Sequence, residues 1–111
     1  MADIPIQLLE YITENGENPF HDWLNSLKDR AARARIRVRL NRVRLGNFGD
    51  CKSVGKGVNE LRVDYGPGYR VYYGKSKTTI VILLCGGSKK SQSKDIQLAQ
   101  EYWAEYKRRE K

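Results

Sequence analysis

The chain has 111 residues, 40 % of them hydrophobic, and a formal net charge of +8, with an isoelectric point near 9.7. That length and composition fit one domain, 1–111, around one core. The charge points to a polyanionic partner, nucleic acid ahead of a membrane surface or an acidic protein. Cys51 and Cys85 have no CxxC spacing and no neighbouring histidine, so neither a disulfide framework nor a zinc site is indicated. No N-terminal h-region is present, and the longest apolar run, Ile80 to Cys85, is too short to cross a bilayer. The expectation is a cytoplasmic protein with no membrane partner, no metal and no cofactor.

In chain order, Ile4 to Tyr11 is apolar enough for a strand, with Pro5 suited to its start or to a sheet edge. Residues 15–19, Asn-Gly-Glu-Asn-Pro, break it. Phe20, Trp23, Leu24 and Leu27 recur at i, i+3, i+4 and i+7, which predicts a short helix capped by Asn18 with Pro19 at its first position. A second helix follows from about Asp29 to Leu45: Ala32, Ile36, Leu40 and Val43 form its inner line and Gly46 its C-terminal stop. Residues 28–44 carry eight Lys or Arg against one acid, Asp29, so much of the excess charge lies on this helix. After the loop 46–50, residues 51–58 read as a weak strand or mobile loop bearing Lys52 and Lys56.

The segment from Asn59 to Tyr73 reads as a hairpin. Leu61, Val63 and Tyr65 alternate with Glu60, Arg62 and Asp64, and Tyr69, Val71 and Tyr73 alternate with Arg70 and Tyr72. Between them Gly66-Pro67-Gly68 sets a proline of fixed φ between two residues free to take positive φ. If the two aliphatic sets share a face, Arg62 and Arg70 share the other, a cationic site on rigid strands able to hold a phosphate. Glu60 and Asp64 offer the alternative of cross-strand ion pairs. Thr78 to Cys85, β-branched and continuously apolar, predicts a strand buried on both faces, ended by the polar run from Gly86 to Ser93. A last helix from about Ser93 turns Ile96, Ala99, Trp103 and Tyr106 inward, leaving residues 107–111 as a solvated tail. The class is α+β: a twisted, mostly antiparallel sheet with an N-terminal helical hairpin on one face and a C-terminal helix.

Several stretches in this order carry a resemblance. They are Pro19-Phe20 with Trp23-Leu24, Ala34-Arg35-Ile36 with Arg39-Leu40, and residues 46–50, Gly-Asn-Phe-Gly-Asp, with Lys52. Glu60-Leu61-Arg62 with residues 65–72, Tyr-Gly-Pro-Gly-Tyr-Arg-Val-Tyr, and Gly86-Gly87-Ser88-Lys89 with Gln92 and Asp95-Ile96 complete the set. Together they span nearly the whole chain, which resembles the RelE/ParE superfamily of type II toxin–antitoxin toxins, most closely its short HigB-like, addiction-module killer branch. The resemblance implies the compact RelE-type fold and neutralisation by a cognate antitoxin of helix-turn-helix type, with DNA met only through the antitoxin complex. For many members it implies cleavage of mRNA on the ribosome, and for a ParE-like minority inhibition of DNA gyrase. Asp95 stands about where the best-studied pattern has a tyrosine, as in branches that use an acidic residue.

Metal-independent RNA cleavage needs a base for the 2′-OH, an acid for the leaving oxygen and cations for the phosphorane. His21 is the single histidine, so no two-histidine pair is available, and it reads as surface. The catalytic candidates are Arg62 and Arg70 as phosphate clamps, Lys89 beyond the Gly-Gly pair, and Asp95 as base or, alternatively, a first-turn carboxylate favoured by the helix dipole. Candidates for RNA contact are Lys52, Lys56, Lys90, Gln92, Tyr72 by stacking on a base, and Arg33, Arg37 and Arg44 on the basic helix, whose bland reading is a solvated or antitoxin-docking face. A non-catalytic RNA- or ribosome-binding module is the remaining alternative.

Overall fold

A computed structural model describes residues 5–110. In order come β1 (Gln7–Glu10), α1 (Pro19–Ser26), α2 (Arg30–Arg44), β2 (Cys51–Ser53), β3 (Val58–Val63), β4 (Tyr69–Lys77), β5 (Ile80–Ser88), a 3-10 turn (Lys89–Ser91) and α3 (Gln92–Arg109). The strands form one sheet in the order β1-β5-β4-β3-β2, antiparallel except where β1 runs parallel to β5. The expected first strand is shorter than its apolar run, and Ile4 lies outside the described residues.

Period-2 alternation in the central strands sends side chains to two cores. Leu61, Val63, Tyr69, Val71, Tyr73, Val81 and Leu83 face Phe20 and Leu24 of α1 and the inner line Ala32, Ile36, Leu40 and Val43 of α2. Val58, Tyr72, Ile82, Leu84 and Cys85 face Ala99 and Trp103 of α3. Strand β5 is therefore buried on both sides, as its unbroken apolar run requires. Asn18 accepts from the His21 amide and Gly46 takes φ +88° just past α2, as expected; Asp29 also caps α2 by accepting from the amides of Ala31 and Ala32, whereas Ser93, expected to open the last helix, lies inside α3. The two N-terminal helices cover one face, α1 lying chiefly on β5 and α2 on β3.

One expectation fails at the C-terminal end. Residues 86–88 do not end β5; they continue it, because Gly86 and Gly87 make room for large neighbours on opposite faces. A Cβ on Gly86 would collide with the Trp23 ring, and one on Gly87 with the Asp95 carboxylate. The tail is exposed from Lys107 to Glu110, as expected, but it is helical to Arg109. Helix α3 runs to Arg109, whose guanidinium clasps Glu105 at 2.6 Å and reaches the Ile12 carbonyl, while Tyr11 Oη donates to Glu105. The hydrogen bonds from Arg109 and Tyr11 hold the Glu105 carboxyl below its usual range.

Candidate phosphate-binding groove

The hairpin register sets Arg62 of β3 directly opposite Arg70 of β4, and Glu60 opposite Tyr72. Residues opposite one another share a sheet face, so all four project toward the α3 side. Two like charges at this spacing repel, and Glu60 supplies the missing anion. Fully buried, it takes Arg62 Nε at 3.4 Å on one oxygen and has Arg70 Nε 3.5 Å from the other. The second oxygen also accepts from Tyr72 Oη (3.2 Å) and Gln92 Nε2 (2.8 Å). A buried carboxylate persists only with such partners. Burial, then the charge and hydrogen bond of Glu60, push the Tyr72 phenol well above its ordinary value, so it stays a donor.

Glu60 engages the Nε edges and Arg70 Nη1 donates to the Gly68 carbonyl at 3.3 Å, and both arginines line a groove of about 530 Å³ at the hairpin's turn. Its lining includes Arg62, Arg70, Lys89, Asp50, Asp64 and Tyr69. Arg62 is 39 % exposed and forms a wall; Arg70, at 10 %, forms the floor, and its buried Nε makes no hydrogen bond of its own. The turn is built for this closeness: Gly66 and Gly68 both take positive φ, as the Gly-Pro-Gly pattern requires, and the Lys89 amide donates to the Gly68 carbonyl at 2.9 Å. On the other side Arg39 of α2 staples the frame. Its Nε donates to the Arg62 carbonyl, and its Nη2 to the carbonyls of Phe48 and Asp50.

The structure thus brings together three of the four catalytic candidates, Arg62, Arg70 and Lys89. Asp95 does not line the groove. It sits over Gly87 within α3's first turn and accepts from Ser91 Oγ, the placement of a structural helix-end carboxylate. Tyr72 has no face open to stack on a base, being fully buried with its hydroxyl on Glu60. Gln92 is engaged by the same carboxylate. Lys52 stands opposite Glu60 on the exposed edge strand, one row from Arg62. Lys56 occupies a left-handed turn (φ +55°) beneath α3, and neither it nor the exposed Lys90 lines the groove. Arg33, Arg37 and Arg44 lie along α2 away from it; Arg33 donates to the Leu27 carbonyl and Arg44 to Asn41.

Sequence reasoning treated Glu60 only as a surface ion-pair partner and passed over Asp50 as a lining group. The signal for Glu60 was an acid two residues from an arginine, on a strand whose facing residue is an aromatic hydroxyl. What the strand pattern could not supply is that α3 covers that face. Among the described residues no cluster of three or more His, Cys, Asp or Glu side chains is placed to hold a metal, and no helix is long and apolar enough to cross a membrane.

A small, basic α/β protein with a cation-lined groove at the end of a hairpin is the class these features define, and comparison with known proteins narrows it. The model of the family described as "Phage derived protein Gp49-like (DUF891)" matches residues 22–104, and the chain belongs to that family, which lies within the RelE/ParE-like toxin superfamily. A Haemophilus influenzae protein described as "Uncharacterized protein" is 52 % identical over 80 residues, covering 72 % of this chain and 81 % of that protein. The family match includes Glu60, Arg62, Arg70, Lys89 and Gln92.

Proposed function

We propose that the protein is a toxin of a type II toxin–antitoxin pair, of the HigB-like branch with the RelE-type fold, acting as a metal-independent, ribosome-dependent mRNA endoribonuclease. The observation that carries this reading is the groove floored by Arg70 and walled by Arg62 and Lys89, three cations converging from two strands and the turn after a third. In the proposed reaction the 2′-oxygen attacks the adjacent phosphorus and loses its proton, the bond to the 5′-oxygen breaks, and that oxygen takes a proton from water. The products carry a 2′,3′-cyclic phosphate and a 5′-hydroxyl. The three cations stabilise the charge of the phosphorane. In this scheme Asp50 or Asp64, carboxylates in the lining, takes the proton. A shallow site without a histidine pair leaves alignment of the nucleophile to the ribosome, a contribution of up to about 7 to 11 kcal/mol. Cytoplasmic action and neutralisation by a cognate antitoxin belong to the same proposal.

The test is incubation with programmed ribosomes and mapping of mRNA 5′ ends by primer extension. New ends on ribosome-bound message, absent from naked RNA, are expected. Intact message at high protein concentration, together with loss of supercoiling by DNA gyrase in a parallel assay, would replace this reading with gyrase inhibition. Protection of RNA without any cut would leave a binding module.

A further inference from the structure

Glu60 is bound more closely by neutral donors than by the arginines it serves. Gln92 Nε2 stands 2.8 Å and Tyr72 Oη 3.2 Å from one carboxylate oxygen, whereas Arg70 Nε is 3.5 Å from that oxygen and Arg62 Nε 3.4 Å from the other. A guanidinium in full contact with a carboxylate closes to about 2.7 to 2.9 Å. Both arginines therefore stand just outside that contact, around an anion that is fully buried and has its shortest bond elsewhere. The Arg70 Nε–H is itself buried and without a hydrogen-bond partner, so it is the donor onto which a loosened Glu60 would close. Gln92 prevents that. Its side chain holds the carboxylate from the first residue of α3, and its backbone amide donates to the Lys89 carbonyl. The turn that brings Lys89 to the groove thus also fixes the two strand-borne arginines, through Gln92 and Glu60. Gln92 does not line the groove, so its side chain reaches a bound phosphate only through Glu60.

We propose that Gln92 and Glu60 act in series as positioning residues of the groove: Gln92 fixes the carboxylate, and the carboxylate sets the direction of Arg62 and Arg70 without neutralising them. A phosphate site built on two neighbouring arginines needs a counter-ion of this kind. With no anion between them the like charges splay apart, and with one in full contact their charge is spent before substrate arrives. A carboxylate satisfied by an amide and a phenol avoids both outcomes. Loss of the Gln92 amide frees Glu60 to close on Arg70, which withdraws that guanidinium from a bound phosphate. The consequence for rate rests on the nuclease reading above; the positioning itself does not.

The test follows single-turnover cleavage on programmed ribosomes over a range of protein concentration, for the full chain as wild type, Gln92→Met, Glu60→Gln and the combination. Gln92→Met keeps the side chain's length and removes the donor; Glu60→Gln keeps the shape and removes the charge. The maximal rate is expected to fall about tenfold in each variant, while the half-saturating protein concentration stays at the wild-type value. The combination is expected to be no slower than Glu60→Gln alone, because the two residues act through one another. Losses that multiply in the combination overturn the proposal, as does a wild-type rate in either variant. A raised half-saturating concentration at unchanged maximal rate also overturns it and makes Gln92 an RNA contact. Nitrogen-15 NMR of the guanidinium Nε–H groups reads the arginines with no reaction at all, and decides even where Glu60→Gln does not fold. The Arg62 and Arg70 signals are expected to shift in Gln92→Met; unmoved signals overturn the proposal whatever the rates. Shifted signals in a protein whose wild type cuts no message remove the nuclease reading and leave the positioning standing.

Discussion

Glu60 decides whether the two arginines can stand side by side. Its strand pattern, alternating with Leu61 and Val63, marks it as facing away from the first core, and sequence alone reads such a face as wet. In the fold α3 covers it, and the carboxylate becomes the hub of Arg62, Arg70, Tyr72 and Gln92. Removing one member of a buried charge cluster costs roughly 3 to 5 kcal/mol. Glu60→Ala is therefore expected to lower unfolding stability in urea by that order, and Glu60→Gln, which keeps an acceptor but loses the charge, by less. A Glu60→Ala protein as stable as wild type would mean that the arginines do not depend on it. The buried phenols make a second prediction at this scale. Burial raises Tyr11 from about 10 to about 12 and moves Tyr72 and Tyr73 further in the same direction. A raised folded-state value means that above pH of about 10 the folded protein holds protons the unfolded chain has lost, so stability is full below that pH and falls as pH rises. Thermal melts from pH of about 9 upward should show that decline, with a shallower slope in Tyr72→Phe. A flat profile would contradict it.

Helices were the most legible elements. Asn18-Pro19, Asp29 and Gly46 are local signals, and their chemistry is complete within a few residues. Strand β5 was legible where it is apolar and illegible at Gly86-Gly87, because a glycine pair is locally a breaker and only its tertiary neighbours show that each one clears space, for Trp23 on one side and Asp95 on the other. The local reading places Lys89 at the edge of the groove, where it lies, and leaves Asp95 between a base and a first-turn carboxylate, of which it holds the second position. Over-filling a tight site typically costs roughly 1 to 3 kcal/mol. Gly86→Ala is expected to destabilise by that amount, and combination with Trp23→Leu to recover part of it, since residues in contact are non-additive. Additive losses in the double-mutant cycle would show that the glycine is not there for the indole.

At the scale of the whole molecule, the charge excess has two destinations. One set of cations, Arg62, Arg70 and Lys89, comes from β3, β4 and the turn after β5 and converges on a groove. The other lines α2, where Arg39 serves as a staple for the frame around Arg62 and Asp50 and the rest face outward. Composition announces a polyanionic partner but cannot divide the charge between these surfaces, since the division depends on a register that sets Arg62 opposite Arg70 and on a turn tied to Lys89. Charge-assisted hydrogen bonds are worth about 1.5 to 3 kcal/mol, or roughly ten- to a hundredfold in rate for each one made to the transition state. Lys77 lies at the far end of β4, seven residues from Arg70 and so about 23 Å along the strand, which makes it the control for general loss of charge. The direct measurement is the single-turnover rate of message cleavage on programmed ribosomes for wild type, Arg62→Ala, Lys89→Ala and Lys77→Ala. Losses of ten- to a hundredfold in the first two variants, with the third near wild type, are the expected result; equal rates in all four proteins would contradict a scissile phosphate held between Arg62 and Lys89.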